Sequence, residues 1–330
     1  MRPELVTFGE AMVRLSPPGF QRLEQASTLD VHVGGSELNA AIAASRMGLR
    51  ASYVTRLTNN PLGKRVAGFA RAHGVGTSEI VWTDEDRVGT YYLELGSSPR
   101  ANSVVYDRAG SAISRIRPGV VDWDAVFDGV AFFYTSGITA ALSRSSADST
   151  IESVRKAHEN GVVVCVDLNY RARLWSQSEA RQVMTEIAKQ TDILFTTEED
   201  TLRVFGIEAK TYEAVAKQLA EAFSLRVVAI TLRENVSVWR NRWTAIAYEA
   251  ETGTVHAAPT YDIEVVDRVG SGDSFVGGFL YGFSTDGAES GVKHGVALSA
   301  IKQTLPGDVV FASKGEVERV MEGGGLRIMR

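Results

Sequence analysis

The residues best suited to chemistry stand late in the chain, in Asp267-Arg268-Val269-Gly270-Ser271-Gly272-Asp273. A β-like run, Ile263 to Val266, leads into them, and an apolar run of helical character, Ser274 to Phe283, follows at once. The first turn of such a helix offers unpaired N–H groups and the positive end of the dipole, which together hold a phosphate or a developing anion. Gly270 and Gly272 let the backbone come close to that group. The stretch is no Walker loop, since no lysine follows Gly278, and no dinucleotide fingerprint, since Phe275 stands where a glycine is required. A carboxylate weakens a cradle for a resting phosphate. It has a use when a phosphoryl group is in transit: the backbone of Gly270, Ser271 and Gly272 holds the growing charge while Asp273 takes the proton of the attacking hydroxyl. Taken alone, the loop leaves a second reading open, in which Asp273 is merely an acidic residue favoured by the helix dipole.

Such a loop needs a scaffold, and the chain supplies an alternating one. Short β-rich runs at Leu5 to Phe8, Ala51 to Leu57, Val130 to Thr135, Val162 to Leu168, Ile193 to Thr196 and Val227 to Leu232 are predicted strands. Helices are predicted over Ser36 to Met47, Pro61 to His73 and Ser143 to Asn160, each stopped by a glycine. The alternation predicts an α/β fold with a central, mostly parallel sheet flanked by helices on both faces. Two segments, about residues 11–33 and 88–109, break the rhythm as strands and turns, and are expected to form a small β-sheet lid on a single domain spanning 1–330. Ser237 to Ala258 reads as antiparallel strands, with Trp239 and Trp243 near a turn at Asn241. Glu322 to Arg330 reads as a loosely held tail.

Composition narrows the function. Of 330 residues 44% are apolar and 23% charged, enough for a sizeable core, and the formal charge of −5 without a dense basic block argues against nucleic acid as a partner. No apolar run is long enough to span a membrane, and the N-terminus lacks the order of a signal peptide, so a cytoplasmic enzyme acting on a small molecule is expected. The single cysteine, Cys165, sits among β-branched residues and reads as an inert core thiol.

The late motif resembles the D-T-x-G-A-G-D-x-F-x-x-G signature of the ribokinase-like (PfkB) sugar kinase family, standing here as Asp267 to Gly278. Gly34-Gly35-Ser36-Glu37-Leu38-Asn39 resembles the family's N-terminal signature, and the likeness covers nearly the whole chain. It implies a ribokinase-like fold and phosphoryl transfer from ATP with Mg²⁺, and in some relatives a monovalent cation. It also implies a lid that commonly pairs with that of a second subunit, hence a homo-oligomer. By the same resemblance Gly34, Gly35 and Asn39 would lie at the sugar, Ile138 would lend a backbone contact, and Asp308 would be a late aspartate near the sugar.

Two further segments resemble the branch that phosphorylates 2-keto-3-deoxygluconate at its terminal hydroxyl. Tyr106-Asp107-Arg108-Ala109-Gly110-Ser111-Ala112 matches its Y-x-R-x-x-S-A pattern, and Asp167 to Trp175 its D-x-N-x-R-x-x-L-W pattern. Tyr91, Tyr106 and Arg108 would then meet the acid end from the lid, with Arg171 nearer the transferred phosphate, since a guanidinium binds a carboxylate through a planar pair of hydrogen bonds. Departures fall at the nucleotide end. Thr197 to Asp200 replaces N-x-x-E, Thr231 to Val236 replaces T-x-G-x-x-G with Arg233 at a glycine position, and Arg268 follows Asp267 where relatives carry threonine. Thr197, Thr231 and Arg233 are the expected nucleotide contacts, and no metal ligand is assigned. Rival readings are a fructokinase-like enzyme for a neutral sugar, a sugar-binding protein without catalysis, and a dinucleotide oxidoreductase, which the Gly9-Glu10-Ala11 sequence after the first strand disfavours.

Overall fold

The computed structural model describes residues 2–323; of the expected tail, residues 324–330 lie outside the described residues. Consecutive apolar residues in the strands point to alternate faces and so build two cores rather than one. In chain order the strands are β1 Leu5–Phe8, β2 Met12–Ser16, β3 Asp30–Gly34, β4 Ala51–Thr58, β5 Ile80–Thr83, β6 Gly89–Glu94 and β7 Ser103–Asp107. They continue with β8 Phe132–Ser136, β9 Val163–Asp167, β10 Ile193–Thr196, β11 Val227–Asn235, β12 Arg240–Glu249, β13 Thr254–Ala257 and β14 Tyr261–Glu264. The main sheet runs β13-β12-β11-β10-β9-β8-β1-β4-β5, parallel from β11 to β5, with β14 antiparallel on β12.

Ile193 and Phe195 of β10 join one core with the helices Ser36–Met47 and Ser271–Gln303, while Leu194 joins the other with Arg144–Glu159, Gln177–Ala188 and Tyr212–Phe223. Cys165 is fully buried in β9, and burial pushes its thiol well up, so it is the inert core residue expected. The two irregular segments supply a separate four-stranded sheet, β3-β2-β6-β7. Among the described residues no helix is long and apolar enough to cross a membrane.

Several boundaries differ from the sequence reading. Strand β8 begins at Phe132 rather than Val130, because Val130 closes the turn after the short helix Trp123–Val126. The β11–β12 turn falls at residues 236–239, and Asn241 is a strand residue opposite Asn235, buried because its Nδ2 donates to Gln303 Oε1 at 2.7 Å. The strand before the glycine loop is β14 Tyr261–Glu264, and the helix starts at Ser271, so Asp273 lies inside its first turn. That helix is interrupted at Asp286 and Gly287.

Candidate active site

The parallel strands end on one side of the sheet, where the loops after β1, β8, β9 and β10 and the far end of β11 line a cleft of about 600 Å³. Two helices bring its reacting groups together. They cross on small residues: Ala40, Ala43 and Ala44 face Gly277, where a Cβ would collide with the Ala43 side chain. The close crossing brings both helix N-termini to one point. Ser36 Oγ donates to Asp273 Oδ1 at 2.7 Å, and Asn39 Nδ2 donates to Oδ2 at 2.8 Å. Ser36 also accepts from Asn169 Nδ2 at 3.2 Å.

Burial pushes the Asp273 carboxyl above the usual aspartate range, while the hydrogen bonds from Asn39 and Ser36 and the charge of Arg171 hold it down. Each carboxylate oxygen keeps a lone pair beyond the bond it accepts. Gly270 sits at φ 80 just before the helix, and a Cβ there would run into the Asp308 carbonyl, so only glycine fits. The Ser271 N–H is spent on the Arg268 carbonyl at 3.2 Å. Among the described residues the N–H groups of Gly270, Gly272 and Asp273 have no acceptor, which leaves them for an anion.

Beneath the loop lies a buried cluster of which the sequence reading had assigned Asp308 and Tyr91 to the site, but not the arginine at its centre. Arg14 of β2 reaches Asp267 Oδ2 at 2.7 Å and Asp308 Oδ2 at 3.1 Å, and its Nε donates to Ser16 Oγ at 2.9 Å. Tyr91 Oη donates to Asp308 Oδ1. Asp267 also accepts from the Val269 N–H at 3.0 Å and the Gly307 N–H at 3.1 Å. Arg14 carries no motif; only its place between apolar neighbours in a short strand marks it. Glu37, fully buried, accepts through Oε1 from Ser136 N–H and Oγ and from Thr139 Oγ1. Burial raises its carboxyl to about 7.

Every sequence-predicted site residue except Gly34 lines the cleft. Gly34 packs instead against the Asp308 carboxylate, and Gly35 against the Glu10 carbonyl, so both are needed for close approach. Tyr91 and Tyr106 face each other across β6 and β7, ring centroids 5.8 Å apart, with the Arg108 guanidinium 5.4 Å from the Tyr106 ring centre. Arg108 pairs with Glu10, which also accepts from Ser111 Oγ, and Arg108 Nε is left buried without a partner. Ile138 lines the cleft, and its N–H is already used by Ser136 Oγ at 3.2 Å.

On the other wall charge is not internally paired. Arg171 makes no hydrogen bond or ion pair with the described residues, yet its charge bears on Asp167, Asp200 and Asp273. Burial, then the charges of Asp200 and Asp273, raise Asp167 to about 8, and burial raises Asp200. Thr197 caps the helix Glu198–Phe205 through the Asp200 N–H at 3.1 Å. Thr231 and Arg233 lie in β11, which continues to Asn235 as a hairpin strand, so the glycines of the T-x-G-x-x-G pattern have no turn to make here. Arg268 clamps that hairpin, donating to Asn235 Oδ1 at 3.1 Å and to the carbonyls of Ser237 and Val238 at 2.9 and 3.0 Å.

A pre-paired carboxylate at a helix N-terminus, in a cleft at the strand ends, is the arrangement of a phosphoryl-transfer enzyme. The sequence agrees: the pfkB family carbohydrate kinase pattern matches residues 2–311, and the chain belongs to that family. A 2-dehydro-3-deoxygalactonokinase of Haloferax volcanii is 39% identical over 331 residues, covering 100% of both chains. The crystal structure of a 2-dehydro-3-deoxygluconokinase from Thermotoga maritima superposes with a TM-score of 0.94 at 41% identity, covering 98% of this chain and 99% of that one. A 5-dehydro-2-deoxygluconokinase of Bacillus subtilis is 26% identical over 303 residues, 90% of this chain and 89% of its own. The chain is therefore a carbohydrate kinase, a phosphotransferase with an alcohol group as acceptor.

Proposed function

We propose that this kinase transfers the terminal phosphoryl of ATP to the terminal hydroxyl of 2-keto-3-deoxy-D-gluconate, giving 2-keto-3-deoxy-6-phosphogluconate. The observation that carries the chemistry is the Asp273 carboxylate, fixed by Ser36 and Asn39 beside free N–H groups of the same helical turn. Asp273 accepts the hydroxyl proton as the new O–P bond forms, and the N–H groups of Gly270, Gly272 and Asp273 hold the charge gathering on the phosphoryl oxygens. Arg171, unpaired and close enough to act on Asp273, meets the phosphoryl group from the opposite side. Thr197, Thr231 and Arg233 line the nucleotide end. Asp167 and Asp200 are half-buried carboxylates at the cleft with no ion-pair partner among the described residues, which suits a hydrated Mg²⁺. When bound, Mg²⁺ supplies charge neutralisation along the ATP phosphates.

The acid end of the substrate falls to Tyr106 and Arg108 on β7, with Tyr91, Ile138 and Asp308 completing the sugar wall. Support for a sugar acid comes from those arginines and from the two relatives named for 2-dehydro-3-deoxy sugar acids. One observation favours a neutral sugar instead: Arg108 is already neutralised by Glu10. The four-stranded sheet is the lid in this reading, and its exposed Val31, Val105 and Tyr106 support pairing with a second subunit. A coupled kinase screen over neutral hexoses, 2-keto-3-deoxygluconate and 2-keto-3-deoxygalactonate tests the proposal. The highest kcat/KM is expected on the gluconate acid; preference for the galactonate epimer overturns the stereochemical assignment, and preference for fructose overturns the sugar acid.

A further inference from the structure

Besides Arg14, the mechanism leaves unused a second buried cation behind the anion-binding loop. Lys302, in the last turn of the helix Ser271–Gln303, is fully buried. Among the described residues its ammonium ion-pairs with no carboxylate; it donates to the main-chain carbonyls of Asp267 at 2.9 Å and Leu305 at 3.2 Å. Those carbonyls belong to the two segments that frame the site, one leading into Gly270 and the other into Asp308. The surrounding bonds run the same way. The Gln303 carbonyl accepts from the N–H groups of Val266 at 2.8 Å and Asp267 at 3.2 Å, and Ser299 Oγ donates to the Ser271 carbonyl at 2.7 Å.

An ammonium taken out of water is costly, and a lysine in a structural role has no reason to carry that cost where a methionine would pack. Carbonyl oxygens converging on a compact cation are equally the setting for a monovalent ion. The positive charge also lies on the side of the loop away from the cleft, where it favours negative charge gathering on the phosphoryl group. Burial brings the Lys302 ammonium down to about 8, while the charges of Asp267, Asp308 and Asp273 act to keep it protonated and that of Arg14 opposes them.

We propose that Lys302 is a built-in monovalent cation, a positioning residue that fixes the anion-binding loop for phosphoryl transfer and makes added potassium unnecessary. The inference rests on the kinase reading but not on which sugar is taken.

The test is a coupled assay at pH 7 on the best sugar from the screen, with tetramethylammonium, too large for the carbonyl pair, as the only counter-cation. Wild-type kcat should be unchanged by added KCl or NH₄Cl. Lys302→Met should lower kcat by roughly 10- to 100-fold with both KM values near wild type, a split that general loosening of the fold does not produce. Lys302→Ala should lose a similar factor and recover part of it with K⁺ or NH₄⁺, whereas Lys302→Met, whose side chain fills the space, should not. Potassium activation of the wild type overturns the proposal, and that measurement needs no variant to fold. So does a folded Lys302→Met enzyme with normal kcat, or a folded Lys302→Ala enzyme that no cation rescues. A wild-type chain without turnover on any sugar would count against the kinase reading instead.

Discussion

The two walls of the cleft handle charge in opposite ways. On the wall built by the first turn of the helix Ser271–Gln303, each of these carboxylates already has its protein partner: the half-buried Asp273 has Ser36 and Asn39, and the buried Asp267 and Asp308 share Arg14. On the wall built by the ends of β9, β10 and β11, Arg171 has no hydrogen-bond or ion-pair partner among the described residues, and Asp167 and Asp200 are raised by burial. The paired wall is assembled before any ligand arrives, as a site that stabilises a transition state must be. The unpaired wall holds charges that a nucleotide and its cation can complete. In the proposed mechanism chemistry and nucleotide recognition therefore fall to different parts of one pocket.

The largest expected effect comes from breaking the paired wall. Arg14→Met leaves Asp267 and Asp308 buried without a cation and should destabilise the fold by about 3–5 kcal/mol in urea unfolding. A loss below about 1 kcal/mol would mean that the cluster contributes little to holding the loop. Next is the pH response of Glu37. Its folded value, about 7, lies above the ordinary 4.5, so the native state binds the extra proton between those values. The stabilisation is therefore complete below pH 4.5 and lost as pH rises through 7, an upper bound of about 3 kcal/mol. Glu37→Gln should flatten the slope of unfolding free energy over that window; an unchanged slope assigns the titration to another group.

The smallest structural effect is expected on the unpaired wall. Arg171→Ala should leave the melting temperature nearly unchanged, since no hydrogen bond or ion pair to the described residues is lost, yet lower kcat/KM by roughly 10- to 100-fold. A clear drop in melting temperature with normal kinetics would erase the distinction between the walls.

Much of the paired wall was legible in the sequence because glycine and aspartate were confined to one short loop, and backbone needs of that kind leave a local signature. Asn39 was assigned to the sugar from its motif, while the fold sets it on Asp273; the i to i+3 spacing of Ser36 and Asn39 held the clue, as both face the same way from one helical turn. Arg14, Glu37 and Lys302 were not legible as parts of the site. Their partners are distant in sequence, and a lone charged residue in an apolar run does not say which carboxylate or carbonyl it will meet. The central sheet followed from period and glycine stops, whereas the β11–β12 turn was misplaced because Asn241, a common turn residue, is buried here through Gln303.

The account depends most on Asp273 as the base. Turnover of Asp273→Asn measures it directly, with sugar and ATP binding followed separately by calorimetry. The amide keeps the size and much of the hydrogen bonding but cannot take the proton, so kcat should fall by roughly 10²- to 10⁴-fold while both dissociation constants stay within a few-fold of wild type. Near-normal turnover in the folded variant would contradict the account.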